Sequence, residues 1–137
     1  MKKFFYLTLL LVIHAAVYAG CGNYQVFIQN NSTTTWSITN ITVNHGSVEP
    51  YYLRTISSGF TSEIRAMDGV FNGPDIAVTL SNGMYIETIN AQKNFCFWEA
   101  GDITASVSPG IFTRHSYDFP GSHAEGKAGQ SYFEIHD

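Results

Sequence analysis

Ile76-Ala77-Val78-Thr79-Leu80-Ser81-Asn82-Gly83 is the stretch that decides the fold class of this chain. Ile76, Val78 and Leu80 recur with period two, which places them on one face of an extended strand. The run ends in Ser81-Asn82-Gly83, a strong hairpin signal because Asn and Gly accept the positive φ that tight turns demand. A return strand is therefore predicted from Met84 to about Ala91.

The same pattern extends outward in both directions. Tyr24–Gln29 reads as a first strand, ended by the polar turn Asn30-Asn31-Ser32-Thr33-Thr34. Trp36 and Ile38 lie one step out of phase with Ile41 and Val43, and a phase slip near Asn40 predicts a β-bulge. Val48–Ile56 is extended and contains Pro50, which suits an edge. Phe60, Ser62, Ile64 and Ala66 alternate with Thr61, Glu63 and Arg65, and Asp68–Pro74 reads as loop. Beyond the hairpin come Ile103-Ala105-Val107, the turn Ser108-Pro109-Gly110, an extended Ile111–Tyr117, a Gly-rich polar stretch and a closing strand Ser131–Ile135. No helical period appears after residue 19. The expectation is an all-β fold, a single antiparallel β-sandwich of roughly eight to ten short strands spanning 20–137. Its core is predicted to include Val26, Ile28, Trp36, Ile38, Ile64, Ile76, Val78, Leu80, Ile103 and Val107, the apolar members of the alternating runs.

Residues 1–19 follow different rules. Met1-Lys2-Lys3 is a cationic start, Phe4–Ala16 is apolar apart from Thr8 and His14, and Val17-Tyr18-Ala19 suits a cleavage site. The apolar run is too short to span a bilayer, which takes about 20 residues, so it reads as a cleaved signal peptide of a secreted or periplasmic protein. Lys2 and Lys3 belong to that leader. Arg54, Arg65, Lys93, Arg114 and Lys127 then stand against eleven Asp/Glu, formally −6. Nucleic acid is excluded as a partner, because phosphate binding needs clustered Lys/Arg. Charge-driven adhesion to anionic lipid is disfavoured for the same reason.

Cys21 and Cys96 admit two readings. In an oxidising compartment a single cysteine pair forms a disulfide, here closing a loop of about 75 residues. Alternatively, Ala19-Gly20-Cys21 suits a lipidation box that would acylate Cys21 and anchor the protein as an envelope lipoprotein, although Tyr18 stands where that box takes Leu.

Side chains capable of catalysis form no recognisable constellation. A Gly-x-Ser-x-Gly elbow is absent, and Glu99 and Asp102 flank Gly101 in a turn, where acidic residues are ordinary. His123 and Glu125, with His115, His136 or Asp137, could approach one another, as could Asp68, Asn72 and Asp75, but neither set has metal-ligand spacing. A non-enzymatic protein without metal or cofactor is expected, a small secreted hydrolase being the alternative. Aromatic residues carry the stronger signal. Tyr51, Tyr52, Phe95, Phe97 and Trp98 cluster beside turns, with Phe112–Phe119 a further group, and alternating strands cannot bury all of them. Rings with an apolar body and a polar tip suit a lipid interface or a sugar face. Membrane lipid or glycan is thus the expected partner.

Val26-Phe27-Ile28-Gln29-Asn30-Asn31-Ser32, followed by Thr35-Trp36, Asn40 and Gly46, resembles the first hairpin of actinoporin-like lysins. Pro50, Ile56 and Gly59 also fit that pattern, Gly73–Leu80 with Ser81-Asn82-Gly83 resembles its central hairpin, and Phe133–His136 its last strand. The same stretches are similar to aegerolysins, small β-sandwich lipid-binding proteins. The resemblance implies a β-sandwich that docks on membranes through aromatic side chains, with phosphocholine-bearing lipid as target, oligomers on membranes and a cytolysin-like or toxin role. Two departures separate binding from lysis. Only Gly20–Asn23 lie between the leader and the first strand, where actinoporins carry an amphipathic helix. Asn90-Ala91-Gln92-Lys93-Asn94-Phe95 replaces their Ser-x-Pro and tyrosines.

Overall fold

The computed structural model describes residues 21–137, and the proposed leader lies outside them. Ten strands form among the described residues: β1 (Asn23–Asn30), β2 (Trp36–His45), β3 (Ser47–Val48), β4 (Thr55–Ile56), β5 (Thr61–Met67), β6 (Asp75–Ser81), β7 (Ile86–Lys93), β8 (Ile103–Ser108), β9 (Thr113–Phe119) and β10 (Gly129–Ile135). They make two five-stranded sheets, in the orders β3-β5-β1-β10-β9 and β4-β2-β6-β7-β8. The expected sandwich is present, with one departure from antiparallel order: β1 and β10 pair in parallel. Sequence-distant strands can pair in parallel because the whole domain acts as their crossover.

Period-two burial builds the interior. Tyr24, Val26 and Ile28 from β1 face Ile76, Val78 and Leu80 from β6, with Trp36, Ile38, Ile64, Ile89, Phe133 and Ile135 completing the core. Each such side chain contributes roughly 1.5–3 kcal/mol by leaving water. Ile103 and Val107 are only half-buried, contrary to expectation, because β8 is the edge strand of its sheet among the described residues. The anticipated irregularity of β2 is a register shift between Ile38 and Asn40, and a second follows between Val43 and His45.

Two further expectations are corrected. Val48–Ile56 is not one strand. β3 pairs with β5 in the first sheet, β4 pairs with β2 in the second, and residues between them cross the open side of the sandwich. The central hairpin also turns later than Met84. Ser81 pairs with Ile86, and Asn82 Oδ1 accepts the backbone N–H groups of Met84 (3.0 Å) and Tyr85 (2.8 Å), so the side chain holds a longer turn. Ile86 lies opposite Ser81 and faces solvent, while Glu87, opposite Leu80, and Lys93 point into the sandwich.

Polar groups brace the ends of the core. Asn30 donates to the carbonyl oxygens of Thr34 and Ile56 and accepts from the N–H and hydroxyl of Ser32, tying the β1–β2 turn to β4. At the opposite end Cys21 and Cys96 are disulfide-bonded, with Cα atoms 5.8 Å apart. That bond occupies the Cys21 sulfur, so the lipidation reading is overturned. A disulfide of this kind is typical of extracellular or periplasmic proteins.

Candidate functional site

Two loops meet at the disulfide end. One, 68–74, carries the chain from β5 to β6, and the other, 94–102, joins β7 to β8. Their bases are clamped together. The backbone N–H of Lys93 donates to Pro74 O at 2.9 Å, and that of Asn94 to Asp102 O at 2.8 Å. Cys96 is fastened to Cys21, its N–H donates to Asp68 Oδ2 at 3.2 Å, and the Asp68 N–H donates to Gly22 O at 2.9 Å. Gly73 and Gly101 allow this closeness: a Cβ at Gly73 would overlap the Lys93 carbonyl, and one at Gly101 the Asn94 carbonyl.

Apolar side chains project from this base. Ring contacts run from Phe71 to Phe95 (centroids 6.3 Å), Phe95 to Phe97 (6.3 Å) and Phe97 to Trp98 (4.6 Å, edge to face). Phe95 is half-buried and supports the others, while Phe97 is 56% exposed, Trp98 79% and Phe71 79%, with Val70 exposed beside them. Phe71 has φ of 60°, a left-handed conformation costly for a bulky residue. Phe97, Trp98, Glu99 and Asp102 line a shallow hollow of about 420 Å³. A continuous apolar surface held rigid at its root can enter a lipid interface or cover an apolar ligand face.

Electrostatics at the base are internal. Lys93 is fully buried and donates to Asn94 O at 3.3 Å. Burial pulls its ammonium pKa down, opposed by Asp68. Burial likewise pushes the Asp68 carboxyl up, opposed by the Cys96 N–H and Lys93. The exposed rim carries Glu99 and Asp102, so the aromatic loops present acid to solvent while Lys93, at their base, is hidden.

Of the expected site residues, Phe95, Phe97 and Trp98 come together as one cluster, whereas Tyr51 and Tyr52 do not join it. The tyrosines lie on the β3–β4 crossing at the opposite edge, Tyr51 86% exposed and Tyr52 half-buried against the core under the Arg54 guanidinium (5.6 Å). Val70 and Phe71 were not anticipated. Their signal was an apolar pair enclosed by Gly69, Asn72 and Gly73, where no strand alternation could bury it. A second apolar group, Met84, Tyr85, Ile86 and Ile111, is exposed at the far end around the Tyr85–Phe112 contact (4.8 Å).

Most of the candidate metal ligands are engaged elsewhere. His115 contacts Asp118 at 2.8 Å, His136 contacts Glu134 at 3.1 Å, Glu125 pairs with Lys127 at 2.6 Å, and the Asp137 carboxylate accepts the Thr33 N–H. Asp75 accepts from Asn44 at 3.4 Å. Among the described residues no three or more His, Cys, Asp or Glu side chains converge as a metal site.

No protein-family model matches the chain, and no curated protein matches it. Solved structures do share its fold. It is similar to RahU protein in complex with a TRIS molecule, at 11% identity and TM-score 0.62, over 87% of this chain and 98% of that one. IP-1A from Alcaligenes faecalis matches at 8% identity and TM-score 0.57, over 87% and 94%. The lipid-binding protein Nakanori matches at 9% identity and TM-score 0.63, over 90% and 75%. These are small β-fold proteins, one of them lipid-binding, and at such identities the likeness concerns the fold.

Proposed function

We propose that this is an exported, non-enzymatic lipid-binding protein that docks on membranes through the aromatic end formed by loops 68–74 and 94–102. The observation that carries the reading is the unbroken series Phe71, Phe95, Phe97 and Trp98 on a disulfide-anchored base. Large exposed rings with a polar tip on one of them favour the interfacial zone of a bilayer. The acidic rim and the burial of Lys93 favour zwitterionic over anionic surfaces. Fold similarity to a lipid-binding protein and the resemblance to actinoporin-like lysins and aegerolysins point the same way. Docking, rather than pore formation or a toxin role, is the activity proposed. Tyr51 and Tyr52, on another face, are left out of it.

Co-sedimentation with phosphatidylcholine vesicles tests the proposal. Binding should persist at 1 M salt, where the Debye length is about 3 Å and exposed charges are screened. No binding to neutral vesicles at high micromolar protein would defeat it. Glycan-array binding that competes with Trp98→Ala loss would reassign the same rings to sugar.

A further inference from the structure

A sandwich of two open sheets has four edges, and three of them here are protected against pairing with another strand. β3 and β4 are two residues long each. β9 carries Arg114, His115 and Asp118, and its register with β10 shifts between Tyr132 and Phe133. Short length, charge and irregularity are the devices by which natural sheets avoid edge-to-edge association. β8 has none of them. It is six residues long, reads Ile-Thr-Ala-Ser-Val-Ser, contains neither charge nor proline, and keeps an unbroken register against β7. Among the described residues β7 is its only strand partner in the sheet.

We infer that β8 is a strand-addition edge and that its occupant is β8 of a second copy, paired antiparallel about a two-fold axis. The two-fold register can be tested against the side chains. With Ala105 opposite its own counterpart, Ile103 faces Val107 and Thr104 faces Ser106 of the second copy. Residues opposite one another in an antiparallel pair point to the same face. Ile103, Ala105 and Val107 are the half-buried inner row, and Thr104 and Ser106 are the exposed outer row. Inner residues therefore meet inner residues, and hydroxyls meet hydroxyls. A slip of one residue would set Ile103 against Ser108 and break both rows. Self-complementarity of this kind is what an isologous interface needs. It also supplies the cover that Ile103 and Val107 lack in a single chain. The pairing is independent of the lipid reading, and it would turn the two aromatic ends in opposite directions.

Sedimentation equilibrium of the purified protein should reveal a reversible dimer. Thr104→Lys with Ser106→Lys places like charges directly opposite one another twice across the two-fold. It should weaken dimerisation about tenfold or more without altering the thermal transition at concentrations where the parent is monomeric, since both side chains are exposed. Thr104→Glu with Ser106→Lys places opposite charges there in this register alone, and should restore the dimer to within about threefold of the parent. A parent that stays monomeric at its highest soluble concentration overturns the inference. A double-lysine variant that dimerises like the parent does so as well, as does a Glu/Lys variant that remains as weak as the double-lysine one.

Discussion

The Glu87 carboxylate, 1% exposed, accepts the backbone N–H of Thr113 at 2.6 Å through Oε2. Its other oxygen accepts from Ile111 (2.5 Å) and Phe112 (2.9 Å), so three consecutive amides, where the β8–β9 connection enters β9, close on one side chain from β7. Desolvation pushes the pKa of Glu87 up, but the hydrogen bonds from Thr113, Phe112 and Ile111 outweigh it and hold the group below its ordinary range. The stabilisation is therefore complete above the unfolded-state pKa and is lost as pH falls through the folded one. Glu87→Gln should cost about 1–3 kcal/mol at neutral pH, because an amide N–H₂ must replace one acceptor. Urea titrations of parent and variant should diverge at pH 7 and converge in acid. Equal stability at pH 7 would show that the amides find other partners.

Breaking the Cys21–Cys96 bond detaches loop 94–102 from the segment that leads into β1. The double change Cys21→Ala, Cys96→Ala should lower stability by roughly 2–5 kcal/mol, as expected for a loop of 75 residues. Reductant should lower the melting temperature of the parent and leave that of the double variant unmoved. A parent indifferent to reductant speaks against a stabilising bridge.

Trp98 has little to hold it in the fold and much to offer a membrane. Trp98→Ala should change stability by less than about 0.5 kcal/mol, the usual limit for exposed positions. Loss of its buried apolar area on docking should reduce partitioning onto phosphatidylcholine vesicles roughly tenfold. Vesicle titrations followed by sedimentation measure the second quantity. Unchanged partitioning removes Trp98 from the interface.

Phe71 sets stability against docking. Asn tolerates the left-handed backbone that Phe71 occupies, so Phe71→Asn should leave stability equal or raise it by up to about 1 kcal/mol. The same change should weaken vesicle binding, since it removes an exposed ring. If binding survives intact, loop 68–74 stands outside the docking surface.

The alternation around Ile76–Leu80 and Tyr24–Gln29 was sufficient to read the fold class and most of the core, and the lone cysteine pair with the export signal offered a Cys21–Cys96 disulfide as one of two readings. Those features follow from local rules: a period of two sorts side chains between core and solvent, and an oxidising compartment joins a lone pair of cysteines. It was equally sufficient to single out Phe95, Phe97 and Trp98 as rings in excess of what strands can bury. Three things needed the tertiary structure. Phe71 joins Phe95 only because a crossover from one sheet to the other passes beside the β7–β8 loop, a contact that no spacing in the chain encodes. Tyr51 and Tyr52 part company with that cluster because the segment from Val48 to Ile56 divides between two sheets, and a strand of uniform pattern does not reveal which neighbour each end will choose. Glu87, opposite Leu80 on the inner face, drew no notice in the sequence because its hydrogen-bond donors are amides more than twenty residues away. Side-chain pattern is a property of neighbours along the chain, whereas hydrogen-bond partners and ring contacts are set by which distant strands the collapsed sandwich brings together.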